Sequence, residues 1–243
     1  MSLNGILWLA HLFFPRECVH CGVLLDFRER DYLCPGCRAR LETVPEPVCE
    51  RCGVPLEIPA GNPATCPDCR EHSPAYRRAR SALIFSGPGG SLVRAYKYSA
   101  GPYLSGACLR PLLAGGERWY DWEKYDRVVP VPLHPRKTRE RGFDQAAVLA
   151  AGLSRKTGIP LDRKSLVRIR YTGTQTRLSR KSRRENIRGA FLVTGRDRVR
   201  GAEVLLIDDV HTTGATVGEC AEALIGAGAA EVDVLTLARA VSR

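Results

Sequence analysis

The chain has 243 residues, is 44% hydrophobic and carries a formal charge of +11 with a pI near 9.4, which suits one mid-sized α/β domain plus a small module. The cationic surplus points to phosphorylated small molecules, nucleic acid or an anionic membrane surface as partners. No stretch reaches the roughly 18 apolar residues of a spanning helix, which excludes an integral helical membrane protein.

Residues 1–15 (MSLNGILWLAHLFFP) have no basic leader and no small-residue cleavage site before Arg16 and Glu17, so a secretory signal is not expected. Two readings stand for them: a short apolar helix packed on the protein, or a peripheral foot on a membrane surface. A cytoplasmic location is expected, membrane-peripheral under the second reading.

Eight of the ten cysteines fall in residues 16–73 as four Cys-x-x-Cys pairs: Cys18/Cys21, Cys34/Cys37, Cys49/Cys52 and Cys66/Cys69. Gly22, Gly53, Pro35 and Pro67 follow cysteines, as tight metal knuckles require. Two structural four-cysteine zinc sites are expected, paired in sequence as Cys18, Cys21, Cys34, Cys37 and Cys49, Cys52, Cys66, Cys69. A crossed pairing stays open at this point, and His20 and His72 lie close enough in sequence to be alternative ligands. Disulfides are the rival reading, and nothing in the chain marks an oxidising compartment.

Residues 74–243 alternate strands and helices, the pattern of a parallel α/β sheet flanked by helices. Strands are expected at 80–85, 126–133, 191–194, 204–207 and 231–238, and helices at 92–98, 144–157 and 216–226. Gly87–Gly90 reads as a turn. Cys108 and Cys220 sit among small and apolar residues, as buried thiols would. The segment 163–188 holds ten basic residues and one acid, Glu185, and reads as an exposed loop or mobile helix.

The sharpest local signal is the run from Val204 to Thr216 (VLLIDDVHTTGAT). A buried strand is expected to end at Ile207, with Asp208 and Asp209 emerging at its C-terminal edge, where open α/β sheets bind ligands. The loop of His211, Thr212, Thr213, Gly214, Ala215 and Thr216 then opens a helix. Backbone amides and the helix N-terminus there make a cradle for a monophosphate, and the two carboxylates can accept hydrogen bonds from a vicinal diol. Neither G-x-x-x-x-G-K-[ST] nor G-x-G-x-x-G occurs, which argues against a P-loop NTPase or a dinucleotide site.

This run resembles the phosphoribosyl pyrophosphate (PRPP) signature of type I phosphoribosyltransferases. More narrowly, the chain resembles the ComF family of competence-associated phosphoribosyltransferase-like proteins. The resemblance rests on the cysteine module, Tyr96-Lys97-Tyr98, Val129 to Pro135, Arg139 to Gln145, Gln175-Thr176 with Asn186, and the Asp-Asp loop. Asp144 stands where the family often has Asn. The resemblance implies ribose binding by Asp208 and Asp209, 5′-phosphate binding by residues 211–216, and a pyrophosphate clamp from Leu133, His134, Pro135, Arg136, Lys137, Arg139 and Arg141. It implies a mobile basic loop including Arg177, Arg180, Lys181, Arg183 and Arg184, closing over PRPP and Mg²⁺. No segment reads as a glutaminase domain, so glutamine is not expected as a nitrogen donor.

Two functions follow from these residues. One is an enzyme transferring the phosphoribosyl group to an acceptor. The other is a non-catalytic protein binding single-stranded DNA, or a helicase that handles it, through the ribbons and the basic segment.

Overall fold

The computed structural model describes residues 15–27, 29, 31–59, 64–98, 101–172 and 180–241, without the side chains of residues 180, 181 and 183. The apolar segment expected to form a helix or membrane foot therefore lies, apart from Pro15, outside the described residues. No helix among the described residues is long and apolar enough to cross a membrane.

The N-terminal module contains two short helices, α1 (Pro35–Ala39) and α2 (Pro67–His72). Each starts at the Pro of a Cys-Pro knuckle, because proline's fixed φ suits the first helical position and its missing N–H is not needed there. The rest is arranged around four parallel strands, β1 (Arg78–Ile84), β2 (Arg127–Pro130), β5 (Glu203–His211) and β6 (Glu231–Arg239), in the order β1-β6-β5-β2. Strand β5 is the hydrophobic centre: Val204, Leu205, Leu206 and Ile207 are fully buried, each side chain contributing about 1.5–3 kcal/mol. One face of the sheet packs helices α3 (Gly87–Tyr98), α4 (Ser105–Glu117) and α6 (Gln145–Thr157). The other packs α9 (Ala215–Gly226) and a small antiparallel pair, β3 (Leu166–Arg168) with β4 (Phe191–Val193). Short helices α5 (Pro135–Arg141), α7 (Arg180–Ile187) and α8 (Arg196–Val199) complete the chain.

Several boundaries differ from the sequence expectations. Gly87–Gly90 is the first turn of α3 rather than a free turn; Pro88 fits a helix start, and Gly90 N–H bonds Ser86 O at 2.8 Å. Strand β2 stops at Pro130, and its last ladder bond is Val131 N–H to Ile207 O at 2.8 Å; Pro132 has no N–H with which to continue. Strand β5 runs past Ile207 to His211, since β6 goes on pairing with it as far as Arg239. In the basic segment, expected as an exposed loop or mobile helix, 180–187 is helical as one of those readings has it, but Leu166–Arg168 forms a strand that pairs with Phe191–Val193. Helix α4 was not expected, because Gly106, Pro111, Gly115 and Gly116 depress helix propensity. The last two glycines are there for close approach: a Cβ on Gly115 would meet Ala82 Cα at 2.7 Å, and one on Gly116 would run into the Trp122 ring.

The cysteine module covers the edge strand β1. Thr43 bridges Leu83, Ile84 N–H bonds Glu42 O at 2.8 Å, and Ala79 N–H bonds Arg51 O at 2.6 Å. The buried Arg80 donates to Glu50 O at 3.1 Å and stacks on Trp119. Without this cover the edge position would leave a row of unpaired backbone groups.

Candidate phosphate and zinc sites

The candidate phosphate site lies where β2 runs out. Beyond Ile207, strand β5 keeps β6 on one side and has lost β2 on the other. The two carboxylates of Asp208 and Asp209 stand at that opening. Side chains alternate across a strand, so each carboxylate meets a different layer. Asp209 is buried and forms an ion pair with Lys97 at the end of α3, at 2.8 Å. Asp208 lies toward α9, among charges that include Arg168, and accepts the Asp209 N–H at 2.8 Å. Loss of solvent, together with the neighbouring Asp209 charge, pushes Asp208 up to about 8, and Lys97 opposes that rise.

The loop that follows turns at Gly214, whose φ of +78° makes it the left-handed N-cap of α9. Thr212 is exposed, and Thr213, Gly214, Ala215 and Thr216 are half-buried. Beneath the loop lies His211, 1% exposed, edge-on to Tyr76. Burial and the neighbouring Arg239 hold its imidazole well below the ordinary histidine range. His211 is thus part of the loop's floor, whereas Thr212–Thr216 form its open rim with the first amides of α9.

The expected clamp residues lie on and before α5, which begins at Pro135 rather than continuing as a loop. Two of their amides are already engaged: Leu133 N–H bonds Asp144 Oδ2 at 3.2 Å, and Arg136 N–H bonds His134 Nδ1 at 3.2 Å. Asp144 also caps α6 through Ala147 N–H at 2.9 Å. Cationic side chains are therefore what this segment chiefly offers an anion. Lys137 is half-buried, and burial beside Arg141, Arg168 and Lys97 lowers its ammonium from the usual lysine range. Arg136 stacks on Tyr171, which also packs against His134, and Arg141 stacks on Tyr98; Arg139 is exposed.

Of the basic-loop residues, Arg184 pairs with Asp68 of α2, its Nη2 donating to both carboxylate oxygens at 2.6 Å. Arg177 lies outside the described residues, with Gln175 and Thr176, as do the side chains of Arg180, Lys181 and Arg183. A cavity of about 990 Å³ lies between the second ribbon and α9, with Tyr76, Asp68, Arg184, Thr213, Gly214 and Glu219 in its walls. The phosphate loop is one wall of it, and the Asp208–Asp209 pair is not.

The cysteines gather in sequential quartets, Cys18 with Cys21, Cys34 and Cys37, and Cys49 with Cys52, Cys66 and Cys69. Within each, the sulfurs lie within 4.8 Å of one another. A tetrahedral zinc with Zn–S of about 2.3 Å needs sulfurs roughly 3.8 Å apart; Cys21–Cys34 and Cys52–Cys66 are each at 3.7 Å. Amides of Cys34 and Cys66 donate to Cys18 and Cys49 sulfur at 3.4 and 3.3 Å, as suits thiolates. The quartets therefore fit two closed zinc sites of four thiolates each. His20 faces Ser91 and His72 faces Asp68 O, so neither histidine is needed as a ligand. Cys108 and Cys220 are buried, and burial pushes both thiols up.

Sequence reasoning did not assign Lys97, Arg168 or Tyr98 to the site. Lys97 and Tyr98 were visible only as part of a motif, because their partners are distant in sequence.

Comparison with known proteins gives two domain matches. A double zinc ribbon domain matches residues 9–74 and a phosphoribosyl transferase domain matches residues 143–243. The chain is similar to "DNA utilization protein YhgH" of Salmonella typhi, 32% identical over 98% of this chain and 99% of the relative. It is similar to "Competence protein F" of Haemophilus influenzae, 30% identical over 94% of this chain and 99% of the relative. "Competence protein ComFC" of Bacillus subtilis is 28% identical over 85% of this chain and 84% of its own length.

Proposed function

The chain belongs to the ComF family, a double zinc ribbon joined to a phosphoribosyltransferase-like domain, and on that premise we propose that it binds PRPP with Mg²⁺ between the Asp208–Asp209 pair and the 212–216 loop. One observation carries the reading: the half-buried Asp208 and the Lys97-paired Asp209 stand at the end of β5 where β2 no longer pairs with it, with a Gly-capped helix N-terminus five residues further on. A diol and a monophosphate on one ribose need those two acceptors and that cradle at close range. Lys137, Arg141 and Lys97 supply positive charge on the side where the diphosphate would lie. Mg²⁺ brought in with the diphosphate would offset part of its charge.

In the transfer we propose, the anomeric C–O bond to pyrophosphate breaks, an acceptor lone pair forms the new bond with inversion, and pyrophosphate departs with the bonding electrons. The chain's contribution is positioning and charge stabilisation. The names of the relatives support a setting in the handling of DNA, for the reaction or for the sensing of PRPP.

Isothermal titration of Mg²⁺ and PRPP into the zinc-loaded protein tests the reading. Saturable one-site binding is expected, weakened about tenfold or more in the Asp208→Ala, Asp209→Ala double variant, since hydrogen bonds to charged acceptors are each worth about 1.5–3 kcal/mol. A folded wild-type protein that gives no saturable heat would withdraw it.

A second reading, binding of single-stranded DNA, is favoured by a different observation. Helix α5 is bracketed by two arginine–tyrosine stacks, Arg136 on Tyr171 and Arg141 on Tyr98, and Tyr98 and Tyr103 are 69% and 79% exposed. Aromatic faces beside cations are what unstacked bases use, at about 1–3 kcal/mol per base. Tyr98→Ala and Tyr171→Ala should each weaken binding of an oligothymidylate about fivefold or more. Affinity unchanged in both variants, or insensitive to salt, would remove this reading.

A further inference from the structure

Helix α3 ends in three consecutive residues, Tyr96, Lys97 and Tyr98, and each grips a different part of the phosphate site. The Tyr96 hydroxyl, in a fully buried side chain, donates to Gln145 O at 3.0 Å, at the start of α6, and its ring meets Phe143 edge-on. Lys97 Nζ lies 2.8 Å from Asp209 Oδ1. Tyr98 lies under Arg141 and accepts a hydrogen bond from its guanidinium at 3.4 Å. One helical turn thus joins the cap of α6, the strand-end carboxylates and the basic helix α5.

We propose that Lys97 is a positioning residue of the phosphoribosyl site, fixing Asp209 as the anchored, accepting member of the carboxylate pair so that the ribose diol meets a single arrangement. This rests on the PRPP reading above. The asymmetry of the pair supports it. Asp209 is buried and holds its ammonium partner in contact, whereas Asp208, one residue earlier on the opposite face, is half-buried and has no cation within ion-pair distance among the described residues. Without Lys97 the Asp209 carboxylate would be left buried with no fixed cation and free to rotate between alternatives. With Lys97 in place one acceptor is set, and the other is left for the ligand's hydroxyl. Lys97 is four-fifths buried. An ammonium so enclosed is costly without its partner, so the pair constrains the end of α3 as much as it constrains Asp209.

The groups facing the pair are Lys97, Asp144 and Tyr96 with the Cys108 thiol on the α3 side, and Arg168 with the Cys220 thiol on the α9 side. Lys137 and Arg141 stand further out on α5. Removing the Lys97 charge leaves Asp209 and Asp144 repelling Asp208, so proton loss from Asp208 moves to higher pH.

The test uses the zinc-loaded full chain with Lys97→Met and Lys97→Arg, read by PRPP titration calorimetry and by carboxyl-carbon NMR titration of labelled aspartates. Lys97→Met should weaken PRPP about tenfold or more and raise the midpoint of Asp208 by about one pH unit or more. Lys97→Arg should restore the midpoint and most of the affinity. Equal losses in both variants, or an unchanged midpoint in Lys97→Met, would overturn the assignment of Lys97. Failure of the wild type itself to bind PRPP, with the midpoint still moving, would instead overturn the phosphoribosyl reading and with it any ligand role for Lys97.

Discussion

Replacing Cys69 with serine should release one of two zinc ions and lower the thermal midpoint by roughly 10 °C or more. The second ribbon has little else to hold it. Among the described residues its buried cluster consists of Cys49, Cys52, Cys66 and Cys69, with Val54 and Leu56 against them. A module without an apolar core takes its folding free energy from the metal, so loss of one thiolate is loss of the module. The damage then spreads to the sheet. Arg80 and Arg239 are buried and donate to ribbon carbonyls, Arg80 to Glu50 O and Arg239 to Cys52 O. Stranding a buried guanidinium costs about 3–5 kcal/mol, and about 4 kcal/mol corresponds to roughly 8–16 °C in a protein of this size. The first ribbon is different, since Cys18, Leu25, Leu33 and Cys37 belong to the main core. Metal analysis with differential scanning calorimetry checks the prediction. Two zinc equivalents and an unshifted midpoint would refute it.

Gly214→Ala should reduce PRPP affinity about a hundredfold while costing about 1–3 kcal/mol of stability. At φ +78° a Cβ is strained, and here it would also lie 2.7 Å from His211 Nε2 and 3.3 Å from the Tyr76 hydroxyl. His211 cannot yield, because it is buried between β6 and Tyr76. The loop must lift instead, and the amides that would receive the phosphate lift with it. Gly218→Ala is the control: it lies in the same helix, its added Cβ would meet nothing within 4 Å, and affinity should be unchanged. Equal affinity of Gly214→Ala and wild type, by titration calorimetry, would show that the loop does not carry the phosphate.

What could be read from the sequence was what is local in the sequence. The knuckles are spaced by tight turns, and the Asp-Asp run passes directly from strand to helix, so the cysteine quartets and the strand–loop–helix turn were both visible. Lys97 was visible only as part of a motif, because Asp209 is 112 positions away and nothing near Lys97 announces an acidic partner. The pairing of Leu166–Arg168 with Phe191–Val193 was hidden by the surrounding charge, which reads as solvated chain. The close packing of Gly115 and Gly116 was likewise hidden, since glycine in a helix reads as weakness until the neighbouring strand is known. The engagement of Leu133 N–H by Asp144 is a third such case: a loop reads as a row of available donors until its tertiary partners are known.

Strand β6 lies between β1 and β5, so the first and third sheet strands in chain order are joined only through the fourth. During synthesis the ribbons can load metal early, since each quartet closes within a short stretch of chain. The sheet has no such freedom. Until residues 231–239 have left the ribosome, β1 has no parallel partner and one edge of β5 is unpaired. A chain that stops before β6 therefore lacks the strand that joins β1 to the rest of the sheet.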